Sequence, residues 1–283
     1  PLANEVALET GIESATVVAT ATHDTASAVV GTPLADQRSA FISIGTWSLV
    51  GVEALEPSAG ETAYQANVTN EAGVGGTFRV LRNVTGLWLL EECRRAWSLV
   101  GCDWPLAKLL VAAGSAPKLR ALIDPNDQTF AAPGDMPSRI VDYCTRTGQQ
   151  PPQDEGAFAR CILESLALAQ AKEVDLLGDV TGRTLDQLHV VGGGAHNELL
   201  CAWTASAAER PVLAGPAEAT LVGNLLIQAL ALGELGSVAD AREVVRRSFV
   251  TPRYEPTGEA EWQEARERFA HLVDDRTPLG ACA

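Results

Sequence analysis

Val190-Val191-Gly192-Gly193-Gly194-Ala195-His196-Asn197 is the stretch from which the fold class is read. The apolar residues over 188–191 predict a buried strand, and the pattern over 197–208 predicts a helix beyond the glycines. Outward from there, residues 211–214 read as a second strand, with helices over 217–232 and 238–247. Strands alternating with helices make an α/β layer. Three consecutive glycines let a flat ring or a ribose lie against bare backbone, and the helix start adds N–H donors, so Gly192, Gly193, Gly194 and Asn197 are candidate ligand residues. The pattern is neither GxGxxG nor GxxxxGK followed by Ser or Thr, so it licenses neither a dinucleotide fingerprint nor a P-loop.

Upstream, residues 39–53 read as a hairpin, with strands at 40–44 and 48–52 around a Gly45-Thr46 turn. Gly-led turns form concavities that bind anions, which makes Gly45 and Thr46 candidates for a phosphate oxygen; a plain hairpin is the alternative. Residues 67–82 are Gly-rich, with Gly73, Gly75 and Gly76, and read either as a loop that approaches a ligand or as an ordinary turn. A helix is expected over 85–97, and a long core helix over 154–177, capped by Asp154 and closed by Gly178. Near the start, residues 4–10 predict a short helix ended by Gly11, and 16–20 a buried strand leading into Thr22-His23-Asp24-Thr25-Ala26-Ser27-Ala28. An Asp at the carboxyl end of a buried strand faces the crevice where open α/β sheets bind ligands, so Asp24 is a candidate base; its plain alternative is a helix cap. His23 is either a hydrogen-bonded structural histidine or a contact to a substrate hydroxyl. Residues 251–256 read as a Pro-punctuated linker to an amphipathic helix over 262–272, with a disordered tail beyond.

At 283 residues, 46% hydrophobic and 20% charged, the chain has the composition of a folded globular protein of one large or two ordinary domains. A net charge of −15 without a Lys/Arg cluster argues against nucleic acid or an anionic membrane as partner. No apolar run approaches the roughly 20 residues that span a bilayer, and a cytoplasmic location is expected. The six cysteines lack metal-ligand spacing, so reduced thiols and no protein-held metal are expected, with a Cys144–Cys161 bridge as the alternative to free thiols there. The chain opens without Met and in mid-pattern, which suggests a cut end.

Taken together, His23-Asp24-Thr25-Ala26-Ser27-Ala28-Val29, Ile44-Gly45-Thr46-Trp47-Ser48-Leu49-Val50-Gly51-Val52-Glu53, Asn70-Glu71-Ala72-Gly73-Val74-Gly75-Gly76, Gly86-Leu87-Trp88-Leu89-Leu90-Glu91-Glu92-Cys93-Arg94 and the glycine stretch resemble the FGGY family of carbohydrate kinases, in order and spacing, from about residue 1 to 249. The resemblance implies actin-like, ribonuclease H-like domains that close on a cleft. Residues 1–38 would be a remnant of the amino-terminal sugar-binding domain carrying the base, 39–250 the carboxyl-terminal nucleotide-binding domain, and 251–283 a linker, helix and tail. The implied reaction transfers the γ-phosphoryl group of ATP, with Mg²⁺, to the 1-hydroxyl of L-rhamnulose. In that picture Asp24 is the base, His23 and Thr25 meet the sugar, Asn83 reaches the sugar or phosphate end of the cleft, and Thr46, Gly45, Glu91 and Gly193 meet the nucleotide, Glu91 standing where the family leads one to expect Gln. Ketose, ATP and the rest of the amino-terminal domain are the implied partners. A kinase for another ketose, such as L-fuculose or D-xylulose, and a non-catalytic nucleotide-binding module are the alternatives.

Overall fold

The expected hairpin is the centre of the sheet. In the computed structural model, which describes residues 2–12 and 15–274, β1 (Ser39–Ile44) pairs antiparallel with β2 (Trp47–Ala54), Ile44 opposite Ser48. After a short helix α3 (Glu61–Gln65), the Gly-rich segment holds two more strands: β3 (Thr69–Ala72) and β4 (Phe78–Thr85) join a 3-10 turn at Val74–Gly76, and β4 lies antiparallel on β2. On the other side of β1, β5 (Gln187–Val191) and β6 (Val212–Ala214) run parallel to it, and β7 (Arg253–Tyr254), inside the expected linker, closes the edge antiparallel. The order of this seven-stranded mixed sheet is β3-β4-β2-β1-β5-β6-β7.

Alternation along the strands gives the sheet two apolar faces. Ala40, Ile42, Ile44, Val50, Val52, Val80, Val84, Leu188 and Val190 enter the large core on one face. That face is covered chiefly by α7 (Glu155–Thr181) and α8 (Glu198–Ala208), with α4 (Trp88–Leu99), α5 (Leu106–Ser115), α6 (Met136–Arg146) and α11 (Glu259–Asp274) packed around them. α7 is buried over most of its circumference, as an apolar helix at the centre of a layer must be. Asp154 caps it through Ala157 N–H at 2.8 Å, and the helix runs through Gly178 to end at Gly182, whose φ of +64° supplies the left-handed stop. Polar pins tie it to the sheet, Arg82 to Glu173 at 3.0 Å and Gln170 to Ser48 at 3.1 Å, and to α8, Gln170 to Thr204 at 2.9 Å.

The opposite face carries α2 (Asp24–Val30), α9 (Ala219–Ala231) and α10 (Val238–Ser248). Val29 packs with Leu34, Phe41 and Leu81, and Ala28 with Val191 and Ala219. α2 and α9 meet backbone to backbone: a Cβ on Gly31 would stand 2.2 Å from the Ala219 carbonyl oxygen, and one on Gly223 1.8 Å from that of Ser27. α10 is tied in by Arg242, which donates to Glu53 at 3.0 Å.

The short helix α1 (Asn4–Thr10) ends on Gly11 as expected. Residues 16–20, expected to be a buried strand, are instead unpaired and largely at the surface, Val17 being 62% exposed. A strand-forming composition makes a strand only where another strand offers a ladder, and none among the described residues does. α4 starts at Trp88 rather than 85 because Thr85 is still paired in β4. The five described cysteines are free thiols, and no helix among the described residues is long and apolar enough to cross a membrane; Cys282 and the tail beyond 274 lie outside the described residues.

Two consequences are measurable. Gly223→Ala should wedge α2 from α9 and destabilise the protein by about 2 kcal/mol or more, the range for overpacking, whereas Gly11→Ala, whose Cβ meets open space, should cost only its left-handed backbone; chemical denaturation compares them. His189 on β5 is buried, accepts from Gln187 at 2.8 Å, and leaves Nδ1 without a partner. Burial, reinforced by the Arg242 and Arg246 charges, brings it down to about 4. The unfolded chain then binds a proton that the folded one refuses, so stability should be full above about pH 6.5 and fall as pH drops toward 4, by on the order of 3 kcal/mol. His189→Asn should flatten that dependence in a pH series of urea melts.

Candidate active site

Strand register brings three glycine turns to one end of the sheet. Ser43 pairs with Val191 and Trp47 with Thr85, so the Gly45-Thr46 turn, Gly86 and Gly192 to Gly194 follow β1, β4 and β5 at that same end, with the start of β2 between β4 and β1. They touch through backbone. Leu87 N–H donates to the Gly45 carbonyl at 2.9 Å and Gly86 N–H to that of Thr46 at 3.0 Å; a Cβ on Gly86 would lie 2.6 Å from the Gly45 oxygen. Gly192, at φ +80°, and Gly194 press on Ile44, where added Cβ atoms would stand 2.6 Å from its carbonyl oxygen and 2.4 Å from its Cβ. Gly193 is different: it is exposed and a Cβ there would meet nothing. The outer glycines therefore close the strand ends, and the middle one forms an open floor.

Asn197 is buried and caps α8, its Oδ1 accepting from Leu200 N–H at 3.1 Å. Its place in the structure is to hold the helix that follows the floor. Thr46 is exposed at the tip of its turn. Glu91 is exposed on α4, and both its carboxylate oxygens accept from Arg94 Nη1 at 2.7 and 2.9 Å, so its charge is offset by a guanidinium beside a surface cavity of about 410 Å³ that Trp104 also lines.

Asp24 begins α2, and Ala28, one turn further on, packs against Val191, the residue before Gly192. The base candidate and the glycine floor thus share one packed unit. Asp24 Oδ1 accepts from Thr25 N–H at 2.7 Å and from the Thr25 hydroxyl at 3.3 Å. Its side chain is 77% exposed. It is not the N-cap; His23 is, with Nδ1 accepting from Thr25 N–H at 3.2 Å and standing 3.1 Å from Asp24 Oδ1. Thr25 is buried and faces Asp24 rather than the surface. Thr22 stands at φ +60°, a costly conformation for a residue branched at Cβ, in the turn that presents His23 and Asp24.

Asn83 is exposed on β4, opposite Leu49, on the sheet face that bears α2. Two strand positions earlier on the same face the structure reveals residues that sequence reading passed over: Arg79, buried, with Glu71 of β3 at 2.8 Å. Burial lowers the Arg79 guanidinium from its ordinary value, and the carboxylates of Glu71 and Asp24 act against that. The only sequence signal was a charge at an inward-facing position of a strand not recognised as one. Asn126 was also missed; its Oδ1 receives the Thr85 N–H at 2.8 Å and fixes the end of β4. A separate cavity of about 560 Å³, lined by Pro117, Gln150, Pro151, Cys161 and Glu164 among others, includes none of the candidate residues.

The glycine geometry separates structure from site. Gly194→Ala should lower the thermal midpoint by several degrees because Ile44 cannot retreat from the sheet, while Gly193→Ala should leave it within about one degree of the parent in a melting experiment.

Comparison with known proteins agrees with this architecture. Residues 40–232 match the C-terminal domain of the FGGY family of carbohydrate kinases. The chain is 43% identical to the rhamnulokinase of Bacteroides thetaiotaomicron over 96% of its own length and 55% of that protein's, and 42% identical to the rhamnulokinase of Pectobacterium carotovorum over 92% and 52%. It thus spans about half the length of the curated relatives it matches. Among solved structures, xylulose kinase from Rhodospirillum rubrum superimposes with a TM-score of 0.70 at 17% identity, covering 96% of this chain and 54% of that one. Gluconate kinase from Lactobacillus acidophilus gives 0.71 at 16%, covering 97% and 55%. These structures share the fold, and the match over 40–232 extends across most of the sheet and its covering helices: the chain belongs to the FGGY family of carbohydrate kinases.

Proposed function

We propose that this chain supplies the base and the nucleotide floor of an ATP-dependent ketose kinase acting on the 1-hydroxyl of L-rhamnulose, the activity named for its 42–43% identical relatives. The observation that carries the proposal is Asp24: an exposed carboxylate, fixed through one oxygen by Thr25, and joined by a single helical turn to the strand that Gly192 follows. Residues 1–38 are taken as the part of this chain that belongs with the sugar-binding domain, 39–250 as the nucleotide domain and 251–283 as an appended segment.

Thr25 holds Oδ1, so the remaining oxygen of Asp24 is free to take the proton of the sugar's 1-hydroxyl as its oxygen attacks the γ-phosphorus. The O–P bond forms while the bond from the γ-phosphorus to the ADP oxygen breaks, and the proton ends on Asp24. Such a transfer has a loose transition state, so alignment counts for more than base strength, and an ordinary carboxylate suffices. His23, through Nε2, and Asn83 are the proposed partners of other sugar hydroxyls, with Thr25 contributing through Asp24. Gly193 takes the nucleoside against open backbone between the fixed Gly192 and Gly194, Asn197 secures the helix behind it, and the Gly45-Thr46 turn directs its hydroxyl and N–H groups toward phosphate. Arg94 removes the repulsion that an isolated Glu91 would exert on the nucleotide. Among the described residues no group of His, Cys, Asp or Glu is placed to hold a metal, so Mg²⁺ would enter with the phosphates, where its chemistry is charge neutralisation.

In a protein carrying both halves of the kinase, Asp24→Asn should reduce kcat for L-rhamnulose by roughly 10²–10⁴-fold with the thermal midpoint little changed, because the side chain is exposed. Turnover within a few-fold of the parent would remove Asp24 as the base. ADP binding without turnover in the parent itself would favour a non-catalytic nucleotide module.

A further inference from the structure

The loop over 70–76 and the first residues of the strand after it have no part in the mechanism above, yet they form the wall opposite His23. A cavity of about 650 Å³ separates Thr20, Ala21, Thr22 and His23 from Glu71, Gly73 and Arg79. This is ample for a six-carbon ketose, and Asp24 is the next residue along from His23.

Arg79 is the feature that needs explaining. A guanidinium taken out of water is costly unless it is paired and fully hydrogen-bonded. Arg79, with its side chain 3% exposed, gives Nε and Nη2 to the Ala72 carbonyl at 3.2 and 3.1 Å. Its Nη1 stands 2.8 Å from Glu71 Oε2, yet the approach is off line: neither atom completes a directed hydrogen bond within the protein. The wall thus holds a desolvated donor and a desolvated acceptor side by side, each with unused capacity. A hydroxyl is both donor and acceptor and complements such a pair, and charge-assisted bonds of this type are the strong ones. Among the described residues, Arg79 is also the only Lys or Arg lining this cavity.

We propose that Arg79 and Glu71 form a sugar-reading clamp, in which a ketose hydroxyl away from the reacting carbon bridges Nη1 and Oε2 and so seats the sugar against His23 and Asp24. The inference rests on the kinase reading of Asp24 and adds to it a specificity site on the nucleotide-binding half of the enzyme. β3 and the Gly-rich turn then have a function: they bring Glu71 beside Arg79 across the β3–β4 register, where the two residues are direct partners.

The test uses Glu71→Gln and Arg79→Lys in a protein carrying both halves of the kinase, with initial rates varied separately in L-rhamnulose and in ATP. Each substitution removes or displaces one charged partner while keeping much of the side-chain shape. The expected result is a rise in the KM for L-rhamnulose of at least about tenfold, corresponding to loss of one charge-assisted hydrogen bond, with the KM for ATP within twofold of the parent. An unchanged KM for sugar, or an equal rise for both substrates, overturns the clamp. So does a loss of folding in both variants, seen by thermal melting with ADP present, since the pair would then be a structural brace. Asp24→Asn measured alongside separates the two levels: if it retains turnover the kinase reading itself fails, and if it abolishes turnover while the clamp variants leave sugar KM unmoved, only the clamp fails.

Discussion

Two helices in this protein touch where neither has a side chain, and that contact fixes the geometry of everything around it. Gly31 follows α2, Gly223 lies in α9, and each accepts the other helix's backbone at a distance no Cβ would permit. Helices that approach so closely have little freedom to slide, because their backbone surfaces rather than flexible side chains meet. α2 is consequently held at one height over the sheet, with Ala28 on Val191 and Val29 on Phe41 and Leu81. Asp24 inherits its position from that seating, and so does the strained Thr22 turn before it.

The same device recurs at the sheet end. Gly86, Gly192 and Gly194 each stand against a carbonyl or an isoleucine of the central hairpin, which draws two strand-to-helix connections and the hairpin turn into one surface. Such a surface presents backbone N–H groups and open floor instead of side chains, which suits a ligand made of flat rings and phosphate oxygens. Polar anchoring complements it from below: Ser48, Gln170 and Thr204 form a buried chain from sheet to helix, and Asn126 fixes the end of β4. A fully paired polar core of this kind specifies one register, since a slipped strand would leave its groups unsatisfied.

Electrostatics divide the two faces. The large core on the α7 side buries ion pairs that are well bonded, such as Arg160 with Glu164 at 2.7 Å and with three carbonyls of the chain leaving α5. The α2 side keeps pairs that are close but incompletely bonded, Arg79 with Glu71 among them, and His189 with its orphaned Nδ1. Incomplete bonding costs stability, so it concentrates where function or an absent contact can account for it.

Local chemistry determined a good deal from sequence alone. Hydrophobic alternation gave the hairpin, apolar periodicity gave α7 and α8, and glycine after a helical run gave the end of α1, because each depends on neighbours within a few residues. The strand-glycine-helix order from 188 to 208 was enough for an α/β layer. Long-range matters were not legible. β3 and β4 read as a loop because Thr69-Asn70-Glu71-Ala72 is polar and becomes a strand only by pairing with β4, and residues 16–20 read as a strand though the described chain gives them no ladder. Asp24, Asn83, Thr46 and Gly193 could be nominated one by one, but their common setting, and the whole of the Arg79–Glu71 pair, depended on sheet register and on two glycines crossing. Register and close backbone approach are properties of pairs of segments far apart in sequence, so only the tertiary structure could decide them.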